Sequence, residues 1–377
     1  MKRSALVGGL LLLPLPVMFF ALMVGRYPIS PGEVWAVIGH ALLEGVAHVG
    51  EWVVVGLIRV PEIVNPAWAF PDLVEEVSRF FVVPPLAGVE PVVQALVLRI
   101  RLPRIGAAAL VGANLAVAGA VYQGVFRNPL VEGRLLGVSS GAGLGAALAF
   151  LLFPQPAVVQ AFAFAGGALG VALTALLGWT FGGGVLVLVI AGVLVDSFLS
   201  AVLGLVKYAA DPLGTLPAIT YWLLGGLSGV RVPDLLPLGI ASGIGLSFFL
   251  LARWRLNLLT LADQEAEALG VRVRPTRFLV VGMGTLLVAS AVSVSGTVSW
   301  VGLLVPHAAR AVVGPDYAKL LPAAAGLGAA LVVALDTLAR TLLTAEIPLG
   351  ILTGLLGAPL FLVLFLGASL ILFAEHG

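Results

Sequence analysis

The sequence predicts an all-α, polytopic membrane fold, and three observations carry that reading. Of 377 residues, 60% are hydrophobic and only 10% charged, whereas soluble domains hold about 45–50% apolar and about 25% charged residues. The mean hydropathy is +1.13, so the apolar excess extends over most of the chain. The apolar stretches are continuous and do not alternate with period two, which argues against a β-barrel. At roughly 20 apolar residues per bilayer crossing, there is room for about ten spans and their connections.

The spans follow in order. Lys2 and Arg3 precede a first apolar run at 4–24. It is long for a signal-peptide core and lacks a clear A-x-A site, so it reads as an uncleaved span that starts in the cytoplasm. Further runs lie at 105–125, 135–152, 157–180, 185–206, 235–251, 278–294, 298–313, 320–338 and 347–373, which makes ten. Basic residues set the orientation. The loop 253–277 holds Arg253, Arg255, Arg272, Arg274 and Arg277, the densest basic cluster, and Arg127, Arg134, Arg310 and Lys319 fall on the same side. Both termini are therefore expected in the cytoplasm, with the chain in the cell (inner) membrane.

This reading divides the chain into a first span (1–25), an extended extracytoplasmic loop (26–103) and a nine-helix core (104–377). The outer segment holds eight of the nineteen acids, nine prolines, and Trp35, Trp52 and Trp68. Prolines punctuate it and 53–60 is too short to span, so short helices lying on the outer surface are expected, one of them the amphipathic stretch 72–81.

Composition also narrows the chemistry. A net charge of +1 offers no basic patch for nucleic acid, and the absence of cysteine removes disulfides and thiol catalysis. None of the three lysines follows a glycine, so there is no P-loop. No nucleophile–base pair or metal-ligand cluster stands out, so the chain does not read as an enzyme.

Several motifs remain. Arg101-Leu-Pro-Arg104 opens the second span from outside, and Asn128-Pro129-Leu130 stops it at the cytoplasmic face. Asp336 and Arg340 are one helical turn apart and can pair. In the cytoplasmic loop, Thr260-Leu-Ala-Asp263 can box a short helix running to Leu269, with Gly270 as its C′ residue. Asp196 sits inside an otherwise apolar span, where a charge costs on the order of 3 kcal/mol. Either it faces a wet pathway or it is a neutral or paired buried carboxylate.

R-L-P-R at 101–104, V-G-A-x-L-A-x-A-G-A-x-x-Q-x-x-x-x-N-P-L at 111–130 and L-G-V-S-x-G-A-G at 136–143 resemble the FecCD-type permeases of ABC importers. W-x-x-G-x-L at 222–227, V-G-L-x-V-P-H-x-x-R at 301–310 and E-I-P-x-G at 346–350 continue the resemblance in order. It implies ten transmembrane helices per subunit and a homodimer around a central pathway, with spans 2–5 and 7–10 related as inverted repeats. It also implies two separate ATPase subunits that bind ATP and Mg, an extracytoplasmic binding protein, and a bulky cargo such as an iron–siderophore, haem or cobalamin. The chain itself needs no cofactor.

By motif position the resemblance implies roles. Arg101 and Arg340 dock the binding protein. Asn128, Pro129 and Leu130 form the cytoplasmic gate. Ala262, Asp263, Glu265, Ala266, Glu267, Leu269 and Gly270 belong to the coupling helix that enters the ATPase. Asp196, on span five, is the candidate pathway residue. The rival reading is an ion-coupled secondary transporter using Asp196, Asp336 and Glu346.

Overall fold

The computed structural model describes residues 2–64, 75, 77–79, 82–84 and 86–376, and among these there are helices and turns but no strand. Two compact units emerge: Met1–Ala21 with Pro103–Gly377, and Leu22–Leu102.

In the larger unit, α1 (Lys2–Leu12) is followed by α2 (Pro14–Met23), so the first apolar run breaks at a proline that cannot continue a hydrogen-bonded helix. The second apolar run is α5 (Leu102–Val125). Then come α6 (Val138–Leu152), α7 (Pro156–Thr180), α8 (Val185–Ala209), α9 (Thr215–Leu224) and α10 (Val232–Leu259). The six-residue α11 (Asp263–Ala268) precedes α12 (Val273–Ser295), α13 (Val301–Val313), α14 (Tyr317–Thr341) and α15 (Leu349–His376). Seven helices are long and apolar enough to cross a membrane, and α6, α13 and part of α15 are shorter apolar helices. These account for all ten expected spans. The ten-residue α9 is an addition that the hydropathy reading passed over, because it is half the length of a crossing.

Small residues hold the helices together, as expected where lipid removes the hydrophobic drive between them. A Cβ at Gly112 of α5 would lie 2.1 Å from the carbonyl oxygen of Gly328 in α14, and one at Gly141 of α6 would lie 2.2 Å from that of Gly166 in α7. Only glycine permits either crossing. Polar side chains are paired within the bundle: Asn114 Nδ2 donates to Ser242 Oγ at 2.8 Å, and Tyr317 OH donates to the Ala120 carbonyl at 2.8 Å.

The smaller unit opens with a helix whose extent the sequence reading did not draw: 31–64 forms one helix, α3 (Pro31–Val64). Its start is a capping box: Glu33 Oε2 accepts from the Ser30 main-chain N–H at 2.9 Å, and Ser30 Oγ accepts from that of Glu33 at 3.3 Å. The amphipathic stretch read at 72–81 lies for the most part outside the described residues. The unit ends in α4 (Pro91–Ala95), continued by a π-helical turn at Leu96–Arg101.

Candidate functional site

Three groups of polar residues occupy successive levels of the larger unit, and α5 passes all three. At its first turn, Arg104 is an ion-pair hub. Its Nε and Nη2 donate to the Asp336 carboxylate at 2.9–3.0 Å, and its Nη1 reaches both oxygens of Glu346 at 3.0 and 3.1 Å. The fork geometry suits a guanidinium holding two carboxylates at once. Asp336 also pairs with Arg340 one turn away, as expected, through the longer contact of 3.9 Å from Arg340 Nε, while Arg104 takes the short bonds.

Arg101 and Arg340, the expected docking residues, are both buried. Arg101 is 4% exposed and donates to the carbonyls of Leu22, Met23 and Tyr27. Arg340 is 8% exposed and donates to the Ala21 carbonyl.

Near the middle of α5 and α8 lies a cavity of about 180 Å³, lined among others by Glu132, Arg134, Ser140, Asp196, Ser200 and Ser299. Asp196 is half-buried and borders this space, so it stands beside an open polar cavity. Gly302, in the first turn of α13, also lines this space. Glu132 was not singled out in the sequence and Arg134 was read only as an orientation marker; a charged pair directly after the Asn-Pro stop was the available signal.

At the far end of α5 the chain turns sharply. Arg127 is left-handed, with φ of 50°, and the turn closes by Asn128 N–H to Gln123 O at 3.0 Å and Arg127 N–H to Gly124 O at 3.1 Å. This is a Schellman ending with arginine in the place usually held by glycine. Asn128 Oδ1 accepts from the Leu130 main-chain N–H at 2.9 Å, and Leu130 is exposed. Gln123, one turn earlier, accepts from Arg310 and donates to the Gly302 carbonyl at 3.1 Å, tying α13 to α5.

Beside that turn sits α11. The structure moves its cap: Thr260 Oγ1 bonds back to the Asn257 carbonyl at 2.7 Å, so Thr260 does not box the helix. Ala262 is the N-cap residue, and Glu265 Oε2 accepts from its N–H at 3.3 Å. Gly270 is the left-handed C′ residue, with φ of 85° and the Val271 N–H bonded to the Ala266 carbonyl at 3.1 Å. Ala266 is buried beneath the helix, while Glu265, Glu267 and Leu269 face outward.

Asp263 points inward. Its Oδ1 accepts from Arg277 Nη2 and from Arg127 Nη2, both at 2.8 Å. The Arg277 hydrogen bond, with the charges of Arg277 and Arg127, outweighs partial burial and holds its carboxyl below the usual carboxylate range. Arg127 and Arg277 had been read only as topology markers. Their partner is 136 residues away for Arg127, beyond the reach of local pattern.

Comparison with known proteins places this arrangement. The model of the FecCD transport family matches residues 73–367. The molybdate import system permease protein MolB of Haemophilus influenzae is 39% identical over 81% of this chain and 88% of its own. The cobalamin import system permease protein BtuC of Halobacterium salinarum is 39% identical over 96% of this chain and 95% of its own, so that alignment takes in most of the outer segment. The hemin transport system permease protein HmuU of Yersinia pestis is 40% identical over 71% and 82%. Among solved structures, an inward-facing metal-chelate type ABC transporter superposes with a TM-score of 0.78 at 33% identity, covering 97% of this chain and 99% of that one. With its ten-span core, its Asn-Pro stop and its short capped helix in place, the chain belongs to the FecCD transport family.

Proposed function

We propose that this chain is the membrane-spanning permease subunit of an ATP-driven importer for a bulky metal chelate. Two copies enclose the pathway, two ATPase subunits bind ATP and Mg on the cytoplasmic side, and an extracytoplasmic protein delivers the cargo. The observation that carries the reading is α11: a short, capped helix with an outward acidic and leucine face, set against the turn that ends α5. Such a surface suits a groove in an ATPase, while Leu130 and its dimer mate close the pathway beside it.

Asp196 and the hydroxyls around it supply a wetted contact for cargo at mid-membrane, where an ionisable group marks a functional position. Asp336 and Glu346 are held by Arg104, which leaves them poorly suited to carrying ions and disfavours the ion-coupled alternative. Arg101 and Arg340 stay the docking residues of this reading, and docking there requires them to leave the carbonyls they hold in the isolated chain.

The test is uptake by the assembled complex in vesicles, offering cyanocobalamin, haemin, a ferric hydroxamate and molybdate in turn. Uptake of one chelate that requires ATP and the binding protein is expected. Uptake driven by an ion gradient without ATP overturns the reading. In the same assay Asp196→Arg lowers kcat and leaves KM, set by the binding protein, unchanged.

A further inference from the structure

Arg127 carries two features that packing alone does not require. It is one of only two non-glycine residues with positive φ among those described, the other being Trp300. A left-handed backbone is unfavourable for a residue with a Cβ, and glycine would close the same turn without that strain. Its side chain also leaves the turn and crosses to the next cytoplasmic element, donating to the Leu261 carbonyl at 3.2 Å and to Asp263 Oδ1 at 2.8 Å. Those acceptors are the residue before the N-cap of α11 and its first helical residue.

Asp263 is gripped from both sides. Arg277, fully buried in the first turns of α12, donates to the same oxygen that Arg127 uses. One carboxylate oxygen thus joins α11 both to the base of α12 and to the turn ending α5. Directly after Arg127, Asn128 fixes the Leu130 main chain through its side-chain oxygen. A displacement of α11 therefore reaches Leu130 through one ion pair and one turn.

We infer that Arg127 is a positioning residue that ties the ATPase-contacting helix to the cytoplasmic gate, so that movement of α11 is converted into movement of Leu130. The inference rests on the importer reading above.

Because the chain holds no cysteine, Leu130→Cys gives one labelling site per subunit. The experiment measures the distance between spin labels at position 130 in the dimer, in the full complex with its ATPases and binding protein, with and without ATP trapped. In this background a nucleotide-dependent shift in distance is expected. Adding Arg127→Gly, which suits the left-handed backbone, is expected to keep the melting temperature equal or higher and the ATPases bound, yet abolish the shift. Arg127→Lys, which keeps the charge, is expected to restore part of it. Asp263→Asn, which removes the acceptor charge, is expected to abolish the shift as well, but with a lower melting temperature, because buried Arg277 loses its carboxylate.

A shift that survives in Arg127→Gly overturns the inference and leaves the importer reading standing, as does loss of the shift accompanied by a lower melting temperature in both Arg127→Gly and Arg127→Lys. A parent chain that binds no ATPase overturns both.

Discussion

The two ends of α5 use the same chemistry under different exposure. At the first turn Arg104 holds Asp336 and Glu346; just past the last turn Arg127 holds Asp263. Arg104 and Asp336 are 11% and 1% exposed, whereas Arg127 and Asp263 are 36% and 40% exposed. A buried pair that loses one member leaves an uncompensated charge, at a cost of about 3–5 kcal/mol. An exposed pair is worth about 0–1 kcal/mol and can be remade in another geometry. The helix is thus fastened at one end and adjustably linked at the other.

The comparison breaks most readily at the outer end. Asp336→Asn should lower stability by about 3–5 kcal/mol, read as a fall in melting temperature and yield in detergent. A neutral result would mean that the Arg104 hub is ornamental. Next in size, Arg340→Met removes a buried donor from the Ala21 carbonyl and should lower stability by about 1–3 kcal/mol. Parental melting behaviour with weakened binding-protein affinity would give Arg340 a docking role in place of a structural one.

At the other end, Arg127→Gln removes only the exposed arm of the clamp and should shift stability by no more than about 1 kcal/mol, measured by the same melting assay. A large loss there would erase the contrast between the two ends. The smallest effect is that of pH. The Asp263 carboxyl is held below its unfolded value, so its contribution is complete above that value and is lost only as pH falls through the lower, folded one. Melting temperatures of the parent and Asp263→Asn should therefore run parallel from pH 8 to pH 5. Convergence of the two curves above pH 5 would show that the clamp titrates where it should not.

Much of this was legible in the sequence, for definite reasons. A bilayer crossing needs a long apolar run, so all ten spans were visible, and Gly270 announced the end of α11 because a left-handed C′ favours glycine. The capping box Ser30-Pro-Gly-Glu33 was equally available and would have announced α3; the density of acids and prolines drew attention away from it. The hubs were not legible. Arg104 meets Asp336 across 232 residues, a distance at which one sequence carries no pairing signal. The left-handed turn at Arg127 was hidden because the residue there is not the one such a turn normally selects.

The glycine crossing of α6 and α7 also decides where the bundle can bend. At Gly141 and Gly166 main chain touches main chain, with no side chain between to change rotamer and absorb a shear. Sliding one helix along the other would force a carbonyl oxygen over a Cα ridge. The pair therefore behaves as a stiff plank. The short connection ahead of α6 is held the same way, with the Leu135 carbonyl against Gly192 of α8 and the Gly137 carbonyl against Gly170 of α7. The plank thus takes in Gly133 and Arg134, which line the cavity beside Asp196, so that wall of the cavity shifts only with the whole pair.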